Sequence, residues 1–367
     1  MLRRAFLSLF AAFALLAPVT ATASPALVFE PYNGTVFYAE DPDTLWFPAS
    51  LTKMMTAYVA FHALRNGEVK PDTPAIVTKN ALAEPPTKLG LPLGTSIPLE
   101  TAIRVIIVKS ANDVAVMVAE TVGGSVEGFV ERMNEAAKRL GMTSTQFANP
   151  HGLPNEQQYT TARDLARLAR ALIIEFPEYA DIFAMTSVSV GKLQLRTHNG
   201  LLRTFNGADG MKTGFICDSG FNIVVSATRD GRKLVAVVLG EPSTRVRNAR
   251  AAQLLENGFK RYFWKSLFGT SLNGLAQPAE REDKPAHLRA VICGPRPTTR
   301  KSEVTPDLFR LDAPVTQLAD LPTPPHPLNC ARHRDGPDHS SHSRGPGLRL
   351  GRARAASGLG PYGGVPR

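Results

Sequence analysis

Three short clusters stand in one order along the chain: Ser50-Leu51-Thr52-Lys53, Ser110-Ala111-Asn112 and Lys212-Thr213-Gly214. A serine hydroxyl is a weak nucleophile until a base takes its proton. Residues three apart share a helix face, so Lys53 stands beside Ser50 if the pair opens a helix. An ammonium buried there loses solvation, its pKa falls, and the neutral amine can deprotonate Ser50. The positive end of the helix also favours charge developing on Ser50. Ser110 offers a second hydroxyl to relay a proton to a leaving amine. Asn112 can donate to a substrate carbonyl and accept from an ammonium. Lys212 brings positive charge for an anionic substrate, Thr213 a hydroxyl, and Gly214 a bare backbone that a substrate can approach. A peptide along a strand edge at Lys212–Phe215 would bind by strand addition. The backbone N–H groups of Ser50 and Phe215 would then form an oxyanion hole. The implied chemistry is acyl transfer through a serine ester.

Such short patterns also occur by chance. Ser189-Val190-Gly191-Lys192 matches the first in strand-like sequence, and Ser271-Leu272-Asn273 imitates the second. Context separates them. Residues 51–64 are apolar nearly all round, which marks a helix buried inside a domain, and Ser50 opens it. Ser110 lies at the bend between helices expected over 101–108 and 113–122. Helical spacing recurs from Ser125 to Leu140 and again from Thr161, where Thr161 and Asp164 fit a capping box. Strand pairs are expected around Asn33-Gly34 and Asp230-Gly231, with a helix over roughly 245–262. Lys212 falls just before the second hairpin, on a sheet edge. Strands at both ends and helices between indicate an α+β domain with an antiparallel sheet.

Residues 1–23 read as an export signal: Arg3 and Arg4, an apolar run from Ala5 to Ala17, Pro18, and Ala21-Thr22-Ala23 as a cleavage site. The protein is therefore expected in the periplasm or cell envelope. The formal net charge of +10 suggests nucleic acid at first sight. Its distribution argues otherwise: residues 331–367 hold seven Arg against two Asp, and residues 24–330 carry only +3. Five prolines fall in residues 314–327, and almost no large apolar residue follows 331. The organisation read from this is a signal at 1–23, a catalytic domain at 24–270, a Pro-rich linker or second-domain remnant at 271–330, and a basic, disordered tail at 331–367. A chain cut near 275 is expected to keep its fold and its acylation rate. Of Cys217, Cys293 and Cys330, the pair Cys217–Cys293 is the best candidate for a disulfide.

The longer segments are more specific. Phe47-Pro48-Ala49-Ser50-Leu51-Thr52-Lys53-Met54-Met55-Thr56, Lys109-Ser110-Ala111-Asn112-Asp113, Asn149-Pro150-His151-Gly152-Leu153 and Asp209-Gly210-Met211-Lys212-Thr213-Gly214 resemble the D-alanyl-D-alanine carboxypeptidases, low-molecular-mass penicillin-binding proteins that trim the peptidoglycan stem peptide. The resemblance covers roughly residues 26–263. It implies a serine β-lactamase-like transpeptidase fold, an antiparallel sheet flanked by helices. It implies Ser50 as acyl-enzyme nucleophile, Lys53 as general base, Ser110 and Asn112 as second-motif residues, and Lys212 and Thr213 as ligands of the substrate's terminal carboxylate. No metal or cofactor is implied. The expected partners are the stem peptide and β-lactam antibiotics.

Two departures stand out. His198 precedes Asn199-Gly200-Leu201-Leu202 where family members often have Arg, so carboxylate binding would lean on Lys212 and on Arg247, which matches a family arginine opening the next helix. His198 is either part of that binding or structural. Neither a β-rich second domain nor a C-terminal amphipathic helix is legible, although the basic tail could touch anionic lipid. The rival readings are a DD-endopeptidase, a serine β-lactamase, and a binding module without activity. The Glu-x-x-Leu-Asn pattern of class A lactamases is absent. A module that only binds would not need Ser50, Lys53, Ser110 and Lys212 together.

Overall fold

The structure, a computed structural model, describes residues 24–277 and 283–295. The export signal at 1–23, Cys330 and the tail at 331–367 lie outside the described residues. The chain begins with β1 (Ala26–Phe29) and β2 (Val36–Glu40), then a short 3₁₀ turn (Ala49–Leu51) that runs into α1 (Thr52–Arg65). There follow β3 (Pro74–Ile76), α2 (Lys79–Ala83), β4 (Ser96–Pro98), α3 (Leu99–Val108), α4 (Asn112–Gly123), α5 (Val126–Arg139), α6 (Ala162–Glu175) and α7 (Ala180–Ala184). A small hairpin, β5 (Ser187–Val190) and β6 (Leu193–Arg196), precedes α8 (Leu201–Thr204). The second half of the main sheet is β7 (Ala208–Ile216), β8 (Gly220–Arg229) and β9 (Arg232–Glu241), followed by α9 (Thr244–Lys260), α10 (Tyr262–Phe268) and α11 (Arg289–Ile292).

The main sheet has the order β2-β1-β9-β8-β7, with every pairing antiparallel. The first strand thus pairs with one more than 200 residues later, and β7 is left as a free edge. Asp230 (φ 50°) and Gly231 (φ 73°) both adopt the left-handed conformation that a two-residue hairpin turn requires. Both faces of the sheet are buried. Ala26, Val28, Ile223, Val225, Ala236 and Val238 face Ala251 and Leu255 of α9. The alternate residues Leu27, Phe29, Val224, Val235 and Val237 join the larger core around α1, α3, α4 and α6. This is the expected α+β layout, an antiparallel sheet between helices. Eleven of the fourteen residues of α1 are buried, so it runs through the middle of the domain.

Two details differ from the sequence reading. Thr161 caps α6 by accepting from Asp164 N (3.1 Å), but the Asp164 carboxylate turns away to Ser144 N (2.9 Å) and Thr145 Oγ1 (2.8 Å). The capping box is therefore half formed, the Asp164 carboxylate serving the 144–145 loop instead. The second difference concerns the packing past residue 270. Ser271 pairs with Thr35, and Leu272 is buried in the core. Arg163 in α6 is only 1% exposed. It chelates Asp43 through two contacts of 2.6 Å and donates to the carbonyls of Leu272 (3.2 Å), Leu275 (3.0 Å) and Ala276 (2.9 Å). A buried cation takes part of its compensation from this segment. Further on, Cys293 is disulfide-bonded to Cys217, the pair expected from the sequence, with Cα atoms 5.6 Å apart. A cut near 275 thus removes groups that the body of the domain uses, contrary to the expectation above.

Candidate active site

Ser50 sits in the 3₁₀ turn that leads into α1, and Lys53 lies one turn on. The turn is under backbone tension: Ala49, a residue with a side chain, has φ 48°. What presses on it is the segment Asn149–Leu153. A Cβ on Gly152 (φ 89°) would come within 1.8 Å of Ala49 O, so only glycine allows this approach. The same segment gives Pro150 O to Thr56 Oγ1 (2.6 Å) and His151 O to Lys53 Nζ (2.6 Å). On the other side, Asn222 of β8 donates to Phe47 O (3.1 Å).

Lys53 is fully buried. Its Nζ is 3.1 Å from Ser50 Oγ, 2.8 Å from Asn112 Oδ1 and 2.6 Å from His151 O. None of these partners is a carboxylate. Burial, and then the positive charge of Lys212, hold its pKa well below the usual lysine value. The Lys53 amine thus borders the Ser50 hydroxyl in a site that favours its neutral form.

Ser110 and Asn112 flank the start of α4. Ser110 takes a positive φ of 63°, which turns the chain sharply between α3 and α4. Asn112 accepts from Lys53, as the sequence suggested, and donates one amide hydrogen to Pro85 O (3.0 Å). The Asp113 carboxylate accepts from Leu89 N (2.9 Å) and Gly90 N (2.8 Å), tying the 84–90 loop to α4.

Lys212 and Thr213 lie on β7, the free sheet edge. Lys212 is 2% exposed. It donates to Ser110 Oγ (2.9 Å) and Thr213 O (2.9 Å). Burial, then the Arg247 guanidinium, bring its pKa down to about 7. Gly214 serves the enzyme's own backbone: a Cβ there would lie 3.0 Å from Pro48 O and 3.1 Å from Ser50 N. The missing side chain lets β7 close on the Ser50 turn, so the room the sequence offers to a substrate is taken by the chain's own backbone. Phe215 is exposed and packs against Phe221, with centroids 4.3 Å apart.

Arg247 stands in the first turn of α9 and is 3% exposed. Its side chain donates to Asn248 Oδ1 through Nε (3.1 Å) and Nη2 (2.8 Å) and pairs with no carboxylate among the described residues. Burial lowers its pKa to about 10. Two buried cations, Lys212 and Arg247, therefore lack an anion, which suits the site to a carboxylate ligand. His198 stands at the rim of the same region. Partial desolvation, then the charges of Lys212 and Lys109, keep its pKa below the ordinary histidine value. The structure thus gathers the three motifs and their flanking cations into one site. The decoy Ser189-Lys192 lies in the β5–β6 hairpin and enters none of these contacts.

Three contributors were not read from the sequence: His151 O on Lys53, Gly152 against Ala49, and Asn222 on Phe47. The segment Asn149–Leu153 was recognised without a role. Only its Asn-Pro-x-Gly turn chemistry hinted at a special backbone.

Comparison with known proteins agrees with this geometry. The family model described as D-alanyl-D-alanine carboxypeptidase matches residues 12–243. The chain belongs to that family. It is 35% identical to the carboxypeptidase DacA of Haemophilus influenzae over 67% of this chain and 64% of that protein. It is 36% identical to DacC of Escherichia coli over 70% of this chain and 67% of that protein. The chain thus spans about two thirds of the length of these relatives. Among solved structures, penicillin-binding protein 5 of H. influenzae superposes with a TM-score of 0.63 at 36% identity, covering 65% of this chain and 71% of that one. Penicillin-binding protein D2 of Listeria monocytogenes, in its ampicillin-bound form, gives 0.59 at 28% identity, covering 66% of this chain and 99% of that one. The matched residues 12–243 include every site residue named above except Arg247 and Asn248.

Proposed function

We propose that this chain is a serine-type D-Ala-D-Ala carboxypeptidase that removes the terminal D-alanine from peptidoglycan stem pentapeptides through an acyl-enzyme on Ser50. The observation that carries the reading is the fully buried Lys53 amine at 3.1 Å from Ser50 Oγ. In this mechanism the stem peptide lies along β7, its terminal carboxylate drawn to Lys212, Thr213 and Arg247. Neutral Lys53 accepts the Ser50 proton as Oγ bonds to the carbonyl carbon of the penultimate D-alanine. Backbone N–H groups of Ser50 and Phe215 hold the oxyanion. The carbon–nitrogen bond then breaks, and the departing D-alanine amine takes a proton from Ser110, which Lys212 replenishes through their 2.9 Å contact. Once D-alanine has left, Lys53 releases its proton to solvent and Lys212 regains one from it. Water then attacks the ester with neutral Lys53 again as base, and Lys53 hands that proton to Ser50 Oγ as the ester bond breaks, restoring free Ser50.

β-Lactams fit the same chemistry, since a strained amide is opened by the same hydroxyl. The Listeria relative was solved with ampicillin and with cefotaxime bound, which supports acylation here. The substrate class implies work outside the cytoplasm, in the periplasm or envelope, in keeping with the export signal. Contact with an anionic membrane is supported by α10, where Phe263, Trp264, Leu267 and Phe268 are exposed beside Lys260, Arg261 and Lys265.

The test is mass spectrometry of a stem pentapeptide incubated with the exported protein. Loss of one D-alanine, abolished in Ser50→Ala, is the expected result. Preferential cleavage of cross-linked dimers would favour the endopeptidase reading, and no cleavage would reject both.

A further inference from the structure

The site has a direction along β7. Its cationic end lies at the start of β7: Asn199 donates to Gly210 O (3.2 Å), and Asn248, beside Arg247, stands 3.1 Å from where a Cβ on Gly200 would be. A substrate with its terminal carboxylate there has the acyl side of its scissile bond running past Gly214 and Phe215, toward Cys217. Residues 285–293 sit at that end of β7. They are held to the sheet side by the Cys217–Cys293 disulfide, by Leu288 N on Asp218 O (3.0 Å), and by Arg289 Nη2 (2.6 Å) and Nε (3.2 Å) on the Asp218 carboxylate. They reach the opposite side through His287, whose Nε2 is 3.4 Å from Glu156 Oε2 and whose Nδ1 is 3.3 Å from Asp218 Oδ1. Glu156 lies three residues beyond Leu153, the end of the segment that sets Gly152 against the Ser50 turn. The His287 ring also packs on Phe47, three residues before Ser50, at 5.0 Å between centroids.

This segment is a strap that bridges the β7–β8 turn beyond Phe215 and the loop at Glu156. Its contacts leave the side chains of His287 and Arg289 half or more exposed, at 50% and 60%, so they retain surface for a ligand. We propose that residues 285–293 form the acyl-side wall of the substrate groove, tethered by Cys217–Cys293, and set the preference for long over short acyl-side peptides. The inference rests on the carboxypeptidase reading above. A penicillin or a two-residue substrate ends before the strap, whereas a stem pentapeptide extends to it.

The test uses the full chain, with the paired substitution Cys217→Ser and Cys293→Ser to release the tether. A second variant, Arg289→Ala, removes the grip on Asp218 and leaves the thiols alone. Each is assayed for acylation by fluorescent penicillin and for turnover of N-acetyl-D-alanyl-D-alanine and of stem pentapeptide, with circular dichroism as the folding control. Releasing the tether should leave penicillin acylation and dipeptide turnover within about twofold, and raise KM for the pentapeptide about fivefold with kcat nearly unchanged, the loss of one modest contact. Arg289→Ala should shift pentapeptide KM in the same direction. Equal loss on all three substrates would show that the strap only supports the fold. Unchanged or lower pentapeptide KM in both folded variants would show that the substrate does not use it. Failure of the wild-type protein on penicillin and on both peptides would instead reject the carboxypeptidase reading itself.

Discussion

Lys212 must be charged to hold a carboxylate, yet its surroundings oppose that charge. Burial and the Arg247 guanidinium lower its pKa from 10.5 to about 7. At about 1.4 kcal/mol per pH unit, that shift is worth about 5 kcal/mol between its charged and neutral forms. An ammonium is lost as pH rises through its pKa. In the free enzyme Lys212 should therefore be about half charged at pH 7, about a tenth at pH 8 and about a hundredth at pH 9. Since kcat/KM reports the free enzyme, it should fall about tenfold per pH unit above about pH 8. Lys53 acts in the opposite sense. It must be neutral to accept the Ser50 proton, so the rate should climb with pH through its depressed pKa. The profile is a bell, with Lys53 on the acid limb and Lys212 on the alkaline limb. Arg247→Gln removes the second of the two causes of the Lys212 shift and leaves burial in place. That variant should bind the carboxylate less well, lowering kcat/KM throughout, while its alkaline limb moves to higher pH. The assay is peptide turnover below KM from pH 5 to 10 at constant ionic strength. A wild-type kcat/KM that stays level through pH 9, or an alkaline limb that does not move in Arg247→Gln, would refute the assignment of this limb to Lys212.

Lys53→Arg keeps the charge but supplies no base near neutral pH, so it should fold by circular dichroism and acylate about 10²–10⁴-fold more slowly with fluorescent penicillin. Gly152→Ala should cost about 1–3 kcal/mol in thermal stability and sharply reduce acylation, because its Cβ meets Ala49 O at 1.8 Å; Gly214→Ala, with its nearest contact at 3.0 Å, should be milder in both measurements. A chain ending at 275 should melt below the full-length protein, since it loses the Ala276 carbonyl on Arg163 and the Cys217–Cys293 bond, whereas one ending at 295 keeps every contact named above.

Local rules made most of the site legible. The apolar run after Ser50 could only be a buried helix, and helix spacing then put Lys53 beside the hydroxyl. Asp230-Gly231 announced the hairpin that holds β7 at the sheet edge, and so placed Lys212 and Thr213. Contacts between distant segments stayed hidden. Nothing near Gly152 says that Ala49 lies against it, and nothing near Gly214 says that its empty space is filled by the nucleophile turn. The cation Arg163 reads as an ordinary surface residue of an amphipathic helix. Its burial depends on Asp43 and on carbonyls more than 100 residues away. For that reason composition placed the domain boundary at 270, before a segment the fold still uses. The disulfide was readable because only a few pairings of three cysteines exist.

The central claim is that Ser50, activated by Lys53, carries the acyl group. Peptide mapping after incubation with penicillin tests it most directly. One adduct is expected, on the peptide that contains Ser50, and none in Ser50→Ala. An adduct on Ser110 or Ser189, or an undiminished adduct in Ser50→Ala, would contradict it.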